Sequence, residues 1–300
     1  MNPQPALSDR NKGIVSVQLH RAVLTADGSA AWQELPDMVA AEAPLTLRVE
    51  GHAVAVVMRT PGHDRELAAG FLLTEGVIQS ARDIFEISVC PSLSQPGPSG
   101  ATGDPGDSVD VLLAHKSAFD PGKLTRHVFT SSSCGICSKT DLTTTITTGR
   151  ILTPPDSPLV SIQVIAVLPG MLRDAQPAFA STGGLHACAW WPLDALAALR
   201  PLPAPPLLFE DVGRHNALDK LLGKALLTGQ PLHEGLLLLS GRISFELVQK
   251  AHAAGIPIIA AVGAPSSLAI EYAAAAGITL CGFVRTDRLN VYTHPVRVGQ

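Results

Sequence analysis

Residues 235–242 read Gly235-Leu236-Leu237-Leu238-Leu239-Ser240-Gly241-Arg242. A continuous apolar run without alternation marks a strand buried on both faces, the pattern of a parallel sheet covered by helices. The pattern returns twice. Residues 244–254 read as a helix closed by Gly255, and Ile256-Pro257-Ile258-Ile259-Ala260-Ala261-Val262 reads as a second buried strand. A helix over 266–276, closed by Gly277, leads into a third strand over 278–284, and 289–292 reads as a short edge strand. Strand, helix, strand, helix, strand means a parallel sheet with right-handed crossovers. Just upstream, 216–227 is an amphipathic helix.

This layout predicts where a ligand goes, because open α/β sheets bind ligands beyond the carboxyl ends of their strands. Those ends are Ser240-Gly241-Arg242, Gly263-Ala264-Pro265-Ser266-Ser267 and Phe283-Val284-Arg285-Thr286-Asp287-Arg288. The first two open helices, whose free N–H groups attract anions. The third carries two arginines, suited to bidentate recognition of phosphate or carbonyl groups. Three such ends on one edge predict a phosphorylated, nucleotide-like ligand. Taken singly, Ser240 and Ser266 read simply as helix N-caps.

Upstream the signal is weaker. Residues 1–45 read as an N-terminal arm or short edge strand, and 46–58 as a strand pair around Glu50-Gly51-His52. A helix over 64–76 follows, with acids in its first turn and Gly76 at its end. Residues 46–130 form an N-terminal α/β portion with a Pro/Gly/Ser/Asp insertion at 91–107 and a strand over 109–114. Residues 131–140 are a mobile cysteine loop. Residues 141–298 form a C-terminal portion that holds the ligand, with a helical pattern over 159–172.

The chain has 300 residues, 46% of them hydrophobic and 16% charged, which is globular composition. A net charge of −4 argues against coating of nucleic acid. The N-terminus carries no apolar core of a signal peptide, and no apolar run reaches the length of a membrane span. A cytoplasmic location is expected. Five cysteines, three of them isolated (Cys90, Cys188, Cys281), do not suggest a disulfide framework. These three read as small core residues.

The other two lie in Ser131-Ser132-Ser133-Cys134-Gly135-Ile136-Cys137-Ser138-Lys139. Hydroxyls, a glycine and a lysine favour an accessible, partly ionised sulfur, and the thiolate is the reactive form. Four chemistries compete. A zinc site needs more than one C-x-x-C, with His186 and Cys188 as candidates to complete it. A zinc deaminase needs its H-x-E before P-C-x-x-C, and both order and composition differ here. A thioredoxin-like dithiol follows the first strand of a small βαβ domain, whereas this pair is mid-chain. Sulfur carriage needs an exposed cysteine of low pKa that holds a persulfide, with a second cysteine to assist release. A buried, inert pair fits the polar surroundings least.

Several segments together resemble a known family. They are Arg59-Thr60-Pro61-Gly62-His63-Asp64-Arg65-Glu66-Leu67-Ala68-Ala69-Gly70-Phe71-Leu72, Cys134-Gly135-Ile136-Cys137, Thr182-Gly183-Gly184-Leu185-His186 and Glu210-Asp211-Val212-Gly213-Arg214-His215-Asn216-Ala217-Leu218-Asp219-Lys220. Leu239-Ser240-Gly241-Arg242 and Leu280-Cys281-Gly282-Phe283-Val284-Arg285 complete the set. Over about residues 45–298 the chain resembles the FdhD family of formate dehydrogenase accessory sulfurtransferases. The resemblance implies a sulfur carrier that takes sulfur from a cysteine desulfurase as a cysteine persulfide. The acceptor it implies is the bis(molybdopterin guanine dinucleotide) molybdenum cofactor, supplied with its terminal sulfido ligand before insertion into formate dehydrogenase. A guanine nucleotide would mimic that ligand. It also implies a cytidine deaminase-like three-layer α/β fold without zinc, and a homodimer. Cys134 then matches the carrier and Cys137 its helper, and Phe283, Val284, Arg285, Thr286, Asp287 and Arg288 match the cofactor-binding stretch. Two other readings stay open: a cofactor-binding chaperone that moves no sulfur, and a zinc enzyme of deaminase type. Arg214 and His186 are further candidates at the groove, against plainer roles in a helix N-terminal turn and a structural hydrogen bond.

Overall fold

A computed structural model describes residues 13–91, 107–115, 151–153, 155, 157, 159–196 and 205–299. Its strands are β1 (Ile14–Leu24), β2 (Ala30–Ala40), β3 (Ala43–Val49), β4 (His52–Arg59), β5 (Ile84–Cys90), β6 (Asp107–Leu113), β7 (Val160–Ser161), β8 (His186–Pro192), β9 (Leu207–Asp211), β10 (Gly235–Leu239), β11 (Ile258–Ala261), β12 (Thr279–Gly282), β13 (Asn290–Thr293) and β14 (Val298–Gly299). Its α-helices are α1 (Asp64–Thr74), α2 (Ile162–Asp174), α3 (Pro177–Thr182), α4 (Arg214–Thr228), α5 (Phe245–Ala253) and α6 (Ser267–Ala276).

The apolar runs become the middle of a six-stranded sheet, ordered β13-β12-β11-β10-β8-β9. β10, β11 and β12 are parallel, and every residue in them is buried. Strand alternation divides their side chains. Leu237, Leu239, Ile259 and Leu280 pack with Leu218, Leu221 and Leu222 of α4, Val248 of α5 and Ala273 of α6. Leu236, Leu238, Ile258 and Cys281 pack on the other face with Ile165, Leu168 and Leu172 of α2. The sheet is thus covered by helices on both faces, as continuous apolar strands require.

The sequence reading does not contain β8 or β9, both antiparallel to their neighbours. β8 is His186-Ala187-Cys188-Ala189-Trp190-Trp191-Pro192, with Gly183 and Gly184 close before it. Its alanines and Pro192 give little intrinsic strand signal, so its pairing with β10 is what makes it a strand.

A second sheet, ordered β4-β3-β6-β5, packs Leu45, Leu47, Val109 and Val111 against Leu67 and Leu72 of α1. The β3–β4 turn lies where expected, with Glu50 at φ 50° and Gly51 at φ 78°. Two successive positive φ values match the right-handed twist of the flanking strands. Helix α1 crosses α4 at backbone contact, since a Cβ on Gly70 would lie 1.9 Å from the Asp219 carbonyl oxygen, and one on Gly223 1.8 Å from that of Glu66.

Within the segment 1–45, residues 14–40 form an antiparallel ribbon of eleven paired positions. Asp27 organises its turn, accepting from Thr25 Oγ1 at 2.5 Å, Ser29 N at 3.1 Å and Ser29 Oγ at 2.8 Å. These bonds hold its carboxyl down at about 2. The tip is open, with Leu24 80% and Trp32 69% exposed. Such a ribbon lacks the one-sided burial that makes a strand readable, although Asp27-Gly28 is itself a hairpin signal.

Cys188 and Cys281 are buried, but Cys90 is exposed, which corrects the core reading for that residue. It ends β5, the outer strand of the four-stranded sheet, where no element covers it among the described residues. Residues 92–106 of the insertion, and the whole 131–140 loop with Cys134 and Cys137, lie outside the described residues. Among the described residues, no helix is long and apolar enough to cross a membrane.

Candidate functional site

Antiparallel β8 brings two sequence-distant motifs to the carboxyl ends of the parallel strands. Its first residue, His186, pairs with Asp211 at the end of β9, and Cys188 pairs with Leu239 at the end of β10. The loop entering β8 and those leaving β9, β10, β11 and β12 therefore share one edge. They are stitched by backbone bonds. Gly263 N donates to Gly241 O at 3.1 Å, Phe283 N to Gly263 O at 3.1 Å, and Ile243 N to Ala264 O at 3.0 Å. A Cβ on Gly263 would meet Gly241 O at 2.6 Å, so this seam tolerates no side chain there.

The segment after β12 is shaped by Phe283, which holds φ at 50° and leaves its ring 41% exposed. Positive φ is uncommon for a bulky residue and concentrates at functional sites. Val284 is 0% exposed and packs in the core with α2. It shapes the segment, and its side chain offers no contact surface. Arg285 Nη1 donates to Val262 O and to Val284 O, both at 2.8 Å, while its backbone N donates to Arg288 O at 2.8 Å. Arg288 pairs with Asp287 at 3.2 Å, and both are exposed, as is Thr286. Arg285 is thus a clamp on the loop as well as a surface cation.

A second group of basic side chains faces the same edge. His186 lies against Gly241, whose Cβ position is 3.3 Å from His186 Nδ1. Burial, and then the charges of Arg214, His215 and Arg242, push the His186 imidazole below its usual pKa. His215 Nε2 is 3.0 Å from Glu246 Oε2 and 3.3 Å from Ser244 Oγ, tying the start of α4 to the start of α5. Arg214 Nε is buried without a hydrogen-bond partner among the described residues. Helices α4 and α5 both begin here, at Gly213 and Ser244, and neither N-cap makes a side-chain capping bond. Their first-turn N–H groups suit an anion. Ser266 does cap α6, accepting from Ala269 N at 3.3 Å. Ser240 instead accepts from Ala187 N at 2.9 Å and joins β8 to β10.

The His186 shift has a pH consequence. Below the ordinary value of 6.5, the unfolded chain takes up a proton that the folded chain resists. Stability should therefore fall as pH drops through that value toward the lowered folded pKa. His186→Gln should flatten this component between about pH 7.5 and 5.5, read as thermal midpoint against pH. An equally steep fall in the variant would remove His186 as its source.

Behind the edge, the Arg59-Thr60 motif meets the Glu210–Asn216 motif. Lys220 Nζ is 2.7 Å from Asp211 Oδ2 and donates to Thr60 O at 2.8 Å. Thr60 N donates to Asp211 Oδ2 at 3.1 Å, and Val212 N donates to Thr60 Oγ1 at 3.1 Å. Lys220 escapes sequence reasoning because it sits mid-helix, where lysine normally faces water.

Cys188 was a candidate fourth metal ligand. Its thiol contacts Arg214 O at 3.9 Å and burial pushes its pKa far up. It is a protonated core thiol, a poor partner for a metal, which needs the thiolate.

The model of the FdhD/NarQ family matches residues 40–299. The chain belongs to that family. A relative named sulfur carrier protein FdhD, from Mycolicibacterium paratuberculosis, is 43% identical over 88% of this chain and 93% of its own length. Another of the same name, from Streptomyces avermitilis, is 46% identical over 88% of this chain and 89% of its own. A solved structure described as a formate dehydrogenase accessory protein from Desulfotalea psychrophila superposes with a TM-score of 0.67 at 25% identity. It covers 95% of this chain and 99% of that one, so the FdhD/NarQ architecture includes the mixed sheets and parallel strands described above.

Proposed function

We propose that the chain is a sulfur carrier serving formate dehydrogenase. The observation that carries this is 43–46% identity, over 88% of the chain, to relatives named sulfur carrier protein FdhD. In this reading the Cys134 thiolate attacks the outer sulfur of a cysteine desulfurase persulfide. The desulfurase leaves as a thiolate, and Cys134 carries the sulfane sulfur to the molybdenum cofactor. There the Cys137 thiolate attacks Cys134 Sγ, so the Cys134–Cys137 disulfide forms, the S–S bond of the persulfide breaks, and the outer sulfur leaves for the cofactor at the sulfide level; a cellular thiol then reduces the disulfide. The sheet edge is the acceptor site. The cofactor is a substrate there, in its bis(molybdopterin guanine dinucleotide) form. The chemistry of the edge suits a ligand rich in phosphate, with Arg214, His215, Arg242, Arg285 and Arg288 around two helix starts that lack side-chain caps. Phe283 offers an exposed aromatic face for a base. The cytidine deaminase-like layering, a homodimer and a cytoplasmic location belong to the same proposal.

The test is incubation of the full chain with a cysteine desulfurase and ³⁵S-cysteine. Label that stays bound without reductant and leaves with dithiothreitol supports the reading. Unlabelled protein that still binds the cofactor and still matures formate dehydrogenase would replace it with a chaperone role. Arg285→Ala and Arg288→Ala should each weaken GDP binding about tenfold, the loss of a charge-assisted contact. In the same variants persulfide loading should persist. Lost loading with intact GDP affinity would put these arginines in the wrong role.

A further inference from the structure

We infer that the buried pair Asp211 and Lys220 are positioning residues of the acceptor edge, an inference that rests on the reading just given. Asp211 is wholly buried and Lys220 is 1% exposed. The carboxylate is a hub. Oδ1 accepts from Gly213 N at 2.8 Å and from Asn216 Nδ2 at 3.2 Å. Oδ2 takes Thr60 N at 3.1 Å and Lys220 Nζ at 2.7 Å. Asn216 Nδ2 also donates to Met58 O at 2.7 Å. One side chain therefore fixes the residue that opens α4 and the loop that leaves β4 in the other sheet.

The placement decides between two roles. If the pair served only to hold the fold, charge would be a poor choice, since buried ion pairs are often replaced by neutral groups of similar shape without loss. This pair sits directly behind the first turn of α4. Gly213 cannot cap that turn, and a Cβ on it would lie 2.8 Å from Asn216 Nδ2. Asp211 holds the Gly213 amide, and the first turn of α4 that follows carries Arg214 and His215, whose charges act on His186 at the edge. Bonds to an ionised carboxylate are shorter and more directional than neutral ones, so they fix this turn more tightly than neutral packing would. Lys220 pairs with the carboxylate and ties it to Thr60 O.

GDP is the probe, titrated calorimetrically into the full-length chain. The double variant Asp211→Asn with Lys220→Met removes both charges at similar volume. It should melt within about 5 °C of the unaltered protein, while its Kd for GDP rises about tenfold, the usual scale for loss of a supporting residue. A merely structural pair predicts that affinity and melting move together, so unchanged GDP affinity in the folded double variant overturns the inference. If that variant does not fold, Asn216→Ala keeps the Asp211–Lys220 pair and removes the amide that joins Asp211 Oδ1 to Met58 O. It should weaken GDP about threefold at an unchanged melting temperature, and unchanged affinity there overturns the inference equally. Absence of GDP binding by the unaltered chain is a different result: it defeats the acceptor reading itself.

Discussion

Cys134→Ala is expected to abolish persulfide loading and to reduce formate dehydrogenase maturation to the level of cells that lack the protein. The reason is stoichiometric. A carrier holds one sulfane sulfur on one thiolate, and in the proposed reading Cys137 releases that sulfur rather than loading it. Neither buried cysteine of the sheet offers a substitute, because burial pushes the thiols of Cys188 far up and of Cys281 up to about 12. Such thiols are protonated and inert near neutral pH. Cys90 is exposed, but it ends β5, the outer strand of the four-stranded sheet, and belongs to a different sheet from the parallel strands. Cys137→Ala should retain loading and slow delivery, since its expected part is to help release the sulfur. The measurement is ³⁵S retention on the purified chain together with formate dehydrogenase activity in a complemented deletion strain. Activity near the unaltered level in Cys134→Ala would end the carrier mechanism, whatever the relatives are called.

The largest expected loss of stability comes from Gly70→Ala or Gly223→Ala. At these positions α1 and α4 touch backbone to backbone, and the new Cβ would lie 1.9 or 1.8 Å from a carbonyl oxygen. No side chain can rotate away to relieve it, so the helices must separate. Separation disturbs more than one contact. Asp219, whose carbonyl oxygen faces Gly70, also holds Lys250 through both carboxylate oxygens at 2.9 Å and Thr74 Oγ1 at 3.3 Å. Burial pushes the Asp219 carboxyl up against the pull of Lys250, and displacement of the lysine leaves that carboxylate buried and uncompensated. The cost should be on the order of 3 kcal/mol or more, a fall of roughly 6–12 °C in thermal midpoint. A fall of less than about 2 °C would show that the two helices slide apart freely. Because α4 also carries Arg214 and His215, GDP binding should weaken in whatever fraction still folds.

The parallel core was legible because its strands are buried on both faces, and continuous apolar runs such as Gly235–Leu239 carry that fact in one dimension. Glycine stops were equally plain, with Gly76 and Gly277 both at positive φ just past their helices. β8 and β9 were not legible. Trp190 and Trp191 are buried on opposite faces of β8 only because β10 and β9 flank it, and no local pattern encodes those neighbours. The ribbon 14–40 was missed for the opposite reason. Its outer half is exposed on both sides, so neither face is marked by burial.

The candidate site divides the same way. Sequence alone determined the parallel strand ends, the arginines beyond β12 and the family, because each is a property of a contiguous segment. It also proposed Cys134 and Cys137, which lie outside the described residues. Tertiary structure decided which segments share the edge. The antiparallel entry of β8 carries His186 to Asp211, the pairing of Asp211 with Lys220 locks Thr60 beside the start of α4, and positive φ at Phe283 turns its ring outward while Val284 turns in. These are contacts between residues up to about 160 positions apart, and they are set by sheet order and burial, which no local stretch of sequence contains.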